Sequence, residues 1–253
     1  MITQNKLKLV INRLFLVLAV LIFYYLIFIV FVIIKNYFEG KTIIILCCAF
    51  SYLVVIYFFV VKFNKILNNL VPSDFIGKDH LKAVLVAVIS IVLTFFVEAL
   101  LIKQFDYGFS SLYENFESSI GFVVVSVSEE LVFRAFLFVS ILKLSRRPLF
   151  SVLLSSLIFT LVHYHLTGTF AELFWVFSVS ILITYLYLFT GSIVSPIIFH
   201  FLINLFSTNV YMPDDQYLII ILIQSTSMIL LAFLIALIPK LNNIDHVLLI
   251  KLF

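Results

Sequence analysis

The chain has 253 residues, of which 64% are hydrophobic, 17% aromatic and only 11% charged, and its mean hydropathy is +1.25. An ordinary soluble domain, in which about a quarter of residues are charged, is excluded. The formal charge of +3 is small and scattered, so there is no basic arm of the kind that binds nucleic acid, and the lysines and arginines report topology instead.

A helix needs about 20 apolar residues to cross a hydrocarbon core. Eight such runs follow one another, at residues 14–34, 42–61, 83–102, 118–142, 149–166, 173–189, 193–210 and 217–238. They predict an all-α, polytopic integral membrane bundle of about eight transmembrane helices forming a single membrane domain, 1–253, with no stretch left for a soluble domain. The first run is too long for the apolar part of a signal peptide, and the residues after it, Lys35, Asn36, Tyr37 and Phe38, offer no small-residue cleavage site, so it is expected to remain as an anchor. The second holds Cys47 and Cys48, which are adjacent and make neither a disulfide framework nor a metal-ligand pair of the usual spacing. The connection over 62–82 mixes lysines with apolar residues around Pro72 and Gly77 and is expected to lie along the headgroups. With six glycines in all, packing must rest on Leu, Ile, Phe and Ser.

Lysine and arginine mark cytoplasmic loops. With the N-terminus inside, 12 of them fall on the inner side; only Lys35, Lys41 and Lys103 fall outside, and Arg134 lies within a span. Both termini are therefore expected in the cytoplasm. Reporter fusions after Lys8 and after Lys251 should both read inside, and an external C-terminus would overturn the eight-span reading.

Ionisable residues within a span cost about 2.5 to 3.5 kcal/mol each on insertion scales, which makes each a candidate for function. The third run holds Glu98; the fourth holds Glu129, Glu130 and Arg134 in SEELVFR; the fifth holds His163 and His165 in FTLVHYH; the seventh holds His200 and Asn204 in HFLIN. Glu130 and Arg134 share a helix face at i, i+4 and can pair, which by itself accounts for both charges as a buried ion pair. Glu129 lies about 100° around the helix and needs another explanation. A second carboxylate beside the first repels it unless another group takes the charge, and that arrangement suits a general base. His200 and Asn204, again at i, i+4, present an imidazole and an amide that can donate to an oxyanion. Measured from the inner side at 1.5 Å per residue, Glu129 lies near mid-membrane, His163 at about 21 Å, His200 at about 11 Å and Asn204 at about 17 Å, a spread that helix tilt absorbs. Pro196 is expected to kink the seventh helix toward this site. Glu98, near the outer interface, and His165, at a helix end, are read as structural.

These residues form three motifs in order on separate helices: EExxxR at Glu129, Glu130 and Arg134, FxxxH at Phe159 and His163, and HxxxN at His200 and Asn204. In this the chain resembles the CPBP family of intramembrane proteases, which includes the Ras-converting CAAX endopeptidases and bacterial homologues associated with peptide processing and bacteriocin immunity. The resemblance covers residues 118–206, and a catalytic core is expected over 118–210. It implies that Glu129 activates water with His163, that His200 and Asn204 complete the site and stabilise the oxyanion, and that Glu130, Arg134 and Phe159 support it.

Many family members are called metalloproteases. His163 and His200 leave zinc open, although HExxH is absent and a third protein ligand such as Glu129 would compete with its role as base. The expected substrate is a peptide or membrane-protein segment in the lipid bilayer, and the expected location a bacterial cytoplasmic membrane; oligomeric state is not legible. The alternative is a non-proteolytic immunity or scaffold protein that binds a bacteriocin or a sensor kinase. A transporter ranks third, because buried Glu, His and Arg also form proton relays but no inverted repeat is found.

Overall fold

The computed structural model describes residues 80–101, 116–164, 167–209 and 217–237, together with three helical positions, Ile22, Leu26 and Ile33. The first two predicted spans apart from those positions, most of the 62–82 connection, the side chain of Glu98 and the whole of His165 lie outside the described residues. Among the described residues the structure is all-helical, without strands.

The elements in chain order are α1 (His80–Leu101), α2 (Phe116–Glu130), a π-helical stretch (Leu131–Phe138), α3 (Val139–Ser145), α4 (Pro148–Val162), α5 (Phe170–Thr190), α6 (Val194–Asn209) and α7 (Tyr217–Ala236). Since α2, the π stretch and α3 run on without a break, these make six rods, and each predicted span from the third to the eighth falls on one of them. By length and composition α5 and α7 are long and apolar enough to cross a membrane, whereas Leu81–Phe96, Pro148–Val162 and Val194–Ser207 are apolar but shorter.

Local chemistry sets the ends. Arg146 closes α3 in the left-handed conformation, φ 55°, and donates its N–H to the Leu142 carbonyl; Pro148 then opens α4 in the first turn, where its missing N–H costs nothing. Thr169 and Glu172 form a reciprocal capping box at the start of α5, which ends at Gly191 with φ 64°. Two endings differ from expectation. α4 stops at Val162, not at 166, so His163 is its C-cap and not an interior residue. Pro196 lies in the first turn of α6, where no backbone hydrogen bond is lost, so the expected kink has no cause there.

Helix α5 is the hub: it packs most extensively along α7 and also meets α4, α6, α1 and the π stretch. Two side-chain pairs tie α5 to α7 near their N-termini, Tyr217 Oη donating to Glu172 Oε1 at 2.7 Å and Trp175 Nε1 to Gln224 Oε1 at 2.9 Å. Both helices start at the same end, so they run parallel. Several buried hydroxyls donate back along their own helix, as Thr160 does to the Ser156 carbonyl, Thr184 to that of Ser180 and Ser225 to that of Ile221.

The distribution of polarity is the reverse of a soluble bundle. On α4 the exposed stripe is Leu153, Leu157 and Leu161, while Ser151, Ser155, Ser156 and Phe159 face inward. An apolar stripe facing out and a polar stripe facing in is the arrangement that hydrocarbon solvent selects, because lipid accepts leucine side chains and offers no partner to a hydroxyl.

Candidate active site

The site assembles from three rods. Glu129 and Glu130 end α2, Arg134 follows in the π stretch, Phe159 and His163 end α4, and His200 lies near the middle of α6. Glu130 and Arg134 are 0% and 1% exposed, as expected of charges that hydrocarbon would otherwise have to solvate.

The expected ion pair is present. Arg134 donates from one guanidinium nitrogen to Glu130 Oε1 at 3.0 Å, and from the other to Ser180 Oγ of α5 at 2.9 Å. The guanidinium carbon lies 4.4 Å from the centre of the Phe159 ring, a cation–π contact. Arg134 thus reaches its own rod, α4 and α5 at once. Ser180 is the residue that sequence reasoning missed; its one signal was a hydroxyl within the apolar run of the sixth span.

Both histidines are fixed through Nδ1. His163 Nδ1 is 2.8 Å from the carbonyl oxygen of Phe159, which can only accept, so Nδ1 carries the proton and a neutral ring presents a bare Nε2. His200 Nδ1 is 2.6 Å from Glu130 Oε1, an acceptor already held by Arg134, and the same reasoning leaves its Nε2 bare. The two Nε2 atoms converge on one oxygen. Glu129 Oε2 is 3.4 Å from His163 Nε2 and 3.8 Å from His200 Nε2.

His200 therefore bridges the two carboxylates, Glu130 through one nitrogen and Glu129 through the other. The sequence reading had paired Glu130 with Arg134 alone and used His200 only as an oxyanion donor. With Nδ1 occupied, a neutral His200 cannot donate from Nε2; it must first take up a proton there.

Phe159 forms the wall of the site. Its ring stacks on His163 at a centroid separation of 4.2 Å and an interplanar angle of 30°, and it meets Phe133 and His200 edge-on. Asn204 lies one turn beyond His200 on α6 and is half-buried. Among the described residues no group of three His, Cys, Asp or Glu side chains is placed to hold a metal ion.

The π-helical stretch sits at the centre of this arrangement. It begins one residue after Glu130, and all eight of its residues are buried. Such widened turns recur at functional sites because they change the direction in which successive side chains leave the helix. Here the widened turns bear Arg134, the residue that links Glu130 to α4 and α5.

Comparison with known families agrees with the motifs. The family model described as Type II CAAX prenyl endopeptidase Rce1-like matches residues 114–206. That stretch contains all three motifs and every residue of the cluster, and it bears out the resemblance to CAAX-type intramembrane proteases. No curated protein and no solved structure matches the chain.

Proposed function

From the family match over residues 114–206 and the convergence on Glu129, we propose that this chain is a multi-pass membrane endopeptidase that hydrolyses a peptide bond in a membrane-associated or precursor polypeptide. The observation that carries the reading is the placing of two imidazole Nε2 atoms within 3.4 and 3.8 Å of one carboxylate oxygen. A buried ion pair needs no such neighbours. A base that deprotonates water does, because the water must be held and its proton must have somewhere to go.

In the proposed reaction a water lies between Glu129 and His163. One of its protons is accepted by Glu129 Oε2, the other bonds to His163 Nε2, and its oxygen forms the bond to the substrate carbonyl carbon. The carbonyl oxygen becomes negative and is met by the Asn204 amide and by a His200 ring that carries protons on both nitrogens before substrate binds and keeps them throughout. Collapse breaks the C–N bond, and the proton first taken from water passes to the departing amine. Glu130 fixes His200 through Nδ1, Arg134 holds Glu130, and Phe159 holds His163 by its carbonyl and its ring. No step runs through a metal, so extended dialysis against a chelator is expected to leave cleavage unchanged; loss of activity that zinc restores would replace this mechanism.

The test is cleavage by the purified full chain in liposomes, using a polypeptide whose fragments appear in cells with the wild-type protein. Asn204→Ala should lower cleavage by about 10² to 10³-fold, as removal of a single oxyanion donor does elsewhere. His163→Ala should fall further, since it removes the group that orients the water. Full activity in either variant, with an unchanged thermal melt, would show that the residue has no part in the chemistry.

A further inference from the structure

Among the described residues four serine hydroxyls are buried without a hydrogen-bond partner, those of Ser126, Ser140, Ser156 and Ser195. A buried donor left unmade is costly, and a helical serine ordinarily escapes the cost by donating to a carbonyl one turn back. Ser128 does so on α2, to the Val125 carbonyl at 2.9 Å. Ser126, on the same helix and 0% exposed, does not. Of the four it alone stands within four residues of Glu129, Glu130, His163 or His200, being three before Glu129 and four before Glu130.

The helix period gives its direction. At 100° per residue Ser126 lies about 60° from Glu129 and about 40° from Glu130, between the two carboxylates and one turn nearer the start of α2. His200 meets the two carboxylates in that same direction from the facing helix, reaching Glu130 Oε1 at 2.6 Å and Glu129 Oε2 at 3.8 Å.

The facing helix brings a second polar group to the same level. The turns after α3, α4 and α5 are short and each reverses the chain, so α6 runs antiparallel to the rod of α2, the π stretch and α3, against which α2 packs it. Four residues before Glu130 on one rod and four residues after His200 on the other are therefore the same step, about 6 Å toward the start of α2. That step carries Ser126 on α2 and Asn204 on α6, and Asn204 lies within about 40° of His200 around its helix. Serine and asparagine thus stand at one level, a turn beyond the contact of His200 with Glu129 and Glu130.

We propose that Ser126 is a further catalytic residue, whose hydroxyl donates, together with the Asn204 amide, to the carbonyl oxygen of the scissile peptide as that oxygen becomes negative. This rests on the protease reading above. A donor for an oxyanion works best when it is fixed in a dry site and is not already spent on another acceptor, because no bond then has to break as the charge develops. Ser126 meets both conditions. It keeps its proton throughout and forms no covalent bond; a nucleophilic serine would need a base hydrogen-bonded to it, and Ser126 has none.

The test compares purified wild-type, Ser126→Ala, Ser126→Cys and Glu129→Gln proteins in liposomes, by steady-state cleavage of the same polypeptide and by melting temperature. A donor that acts only in the transition state should, when removed, lower kcat by about 10- to 10²-fold and leave KM unchanged. The melting temperature of Ser126→Ala should be unchanged or higher, since the substitution removes a buried hydroxyl that has no partner. Ser126→Cys keeps a side chain of similar shape but donates weakly, so it should recover little of the lost kcat.

Full activity in Ser126→Ala overturns the proposal. So does a fall in activity accompanied by a lower melting temperature, which is the result expected if the hydroxyl merely props Glu130, and so does a rise in KM at unchanged kcat, which would place Ser126 in ground-state binding. Full activity in Ser126→Cys shows that shape and not donation matters, and overturns it as well. The protease reading fails separately: if Glu129→Gln cleaves as well as wild type, that reading falls and the role of Ser126 falls with it, whereas loss of cleavage in Glu129→Gln with full activity in Ser126→Ala removes Ser126 alone.

Discussion

Glu129→Gln is expected to lower peptide cleavage by about 10² to 10⁴-fold while leaving the fold intact. Glutamine has the volume of glutamate, and its amide can hydrogen-bond to the Nε2 atoms of His163 and His200, which face Glu129 Oε2 at 3.4 and 3.8 Å. Packing around the site is thus preserved. What the amide cannot do is take a proton from water. The measurement is cleavage by purified protein in liposomes alongside its melting temperature, with Glu129→Asp as a second variant that keeps the base but draws it back by one methylene. Aspartate should recover part of the activity that glutamine loses. Undiminished cleavage in Glu129→Gln, with normal melting, would remove Glu129 from the chemistry. If Glu129→Gln, His163→Ala and Asn204→Ala all keep the cellular phenotype at normal abundance, the protein acts as an immunity or scaffold protein, because a binding surface needs no base.

Arg134→Ala should have the largest effect on stability, a loss of about 3 to 5 kcal/mol, as when one partner of a buried ion pair is removed. Arg134 is 1% exposed and meets Glu130 at 3.0 Å, Ser180 at 2.9 Å and the ring of Phe159 at 4.4 Å. Without it the carboxylate of Glu130, itself fully buried, loses its cation. A folded state is commonly favoured by only about 5 to 15 kcal/mol, so protein level should fall with the melting temperature. Arg134→Lys should recover little, because an ammonium cannot reach Glu130 and Ser180 with two nitrogens of one planar fork. Glu130→Gln should be milder, since its amide oxygen still accepts from both Arg134 and His200. Normal melting and abundance in Arg134→Ala would show that the pair does not hold the site together.

Much of this is local information and was present in the sequence. Hydropathy located the six described rods to within a few residues, since burial of a helix in lipid requires an apolar run and nothing else. The i, i+4 spacing of Glu130 with Arg134 foretold their contact, because both partners lie on one rod and its period fixes their distance. The motifs named the residues of the cluster, and the family match over 114–206 agrees with them.

Tertiary structure decided how those residues meet. The bond from His200 to Glu130 and the approach of His163 to Glu129 join residues of different rods, and helix period carries no information about crossing angle or rotamer. Ser180 became a partner of Arg134 only when α5 packed beside the π stretch, and nothing in LVFRAFLF distinguishes a π-helical stretch from an α-helix in advance. The early stop of α4 at Val162 belongs to the same class, for the predicted span ran on to 166. That stop makes His163 a C-cap, where its Nδ1 bonds to the Phe159 carbonyl and its Nε2 is left facing Glu129. The sequence by itself determined which polar groups interrupt the apolar runs, because hydropathy is summed residue by residue; the packing of the rods determined which atoms of those groups face one another.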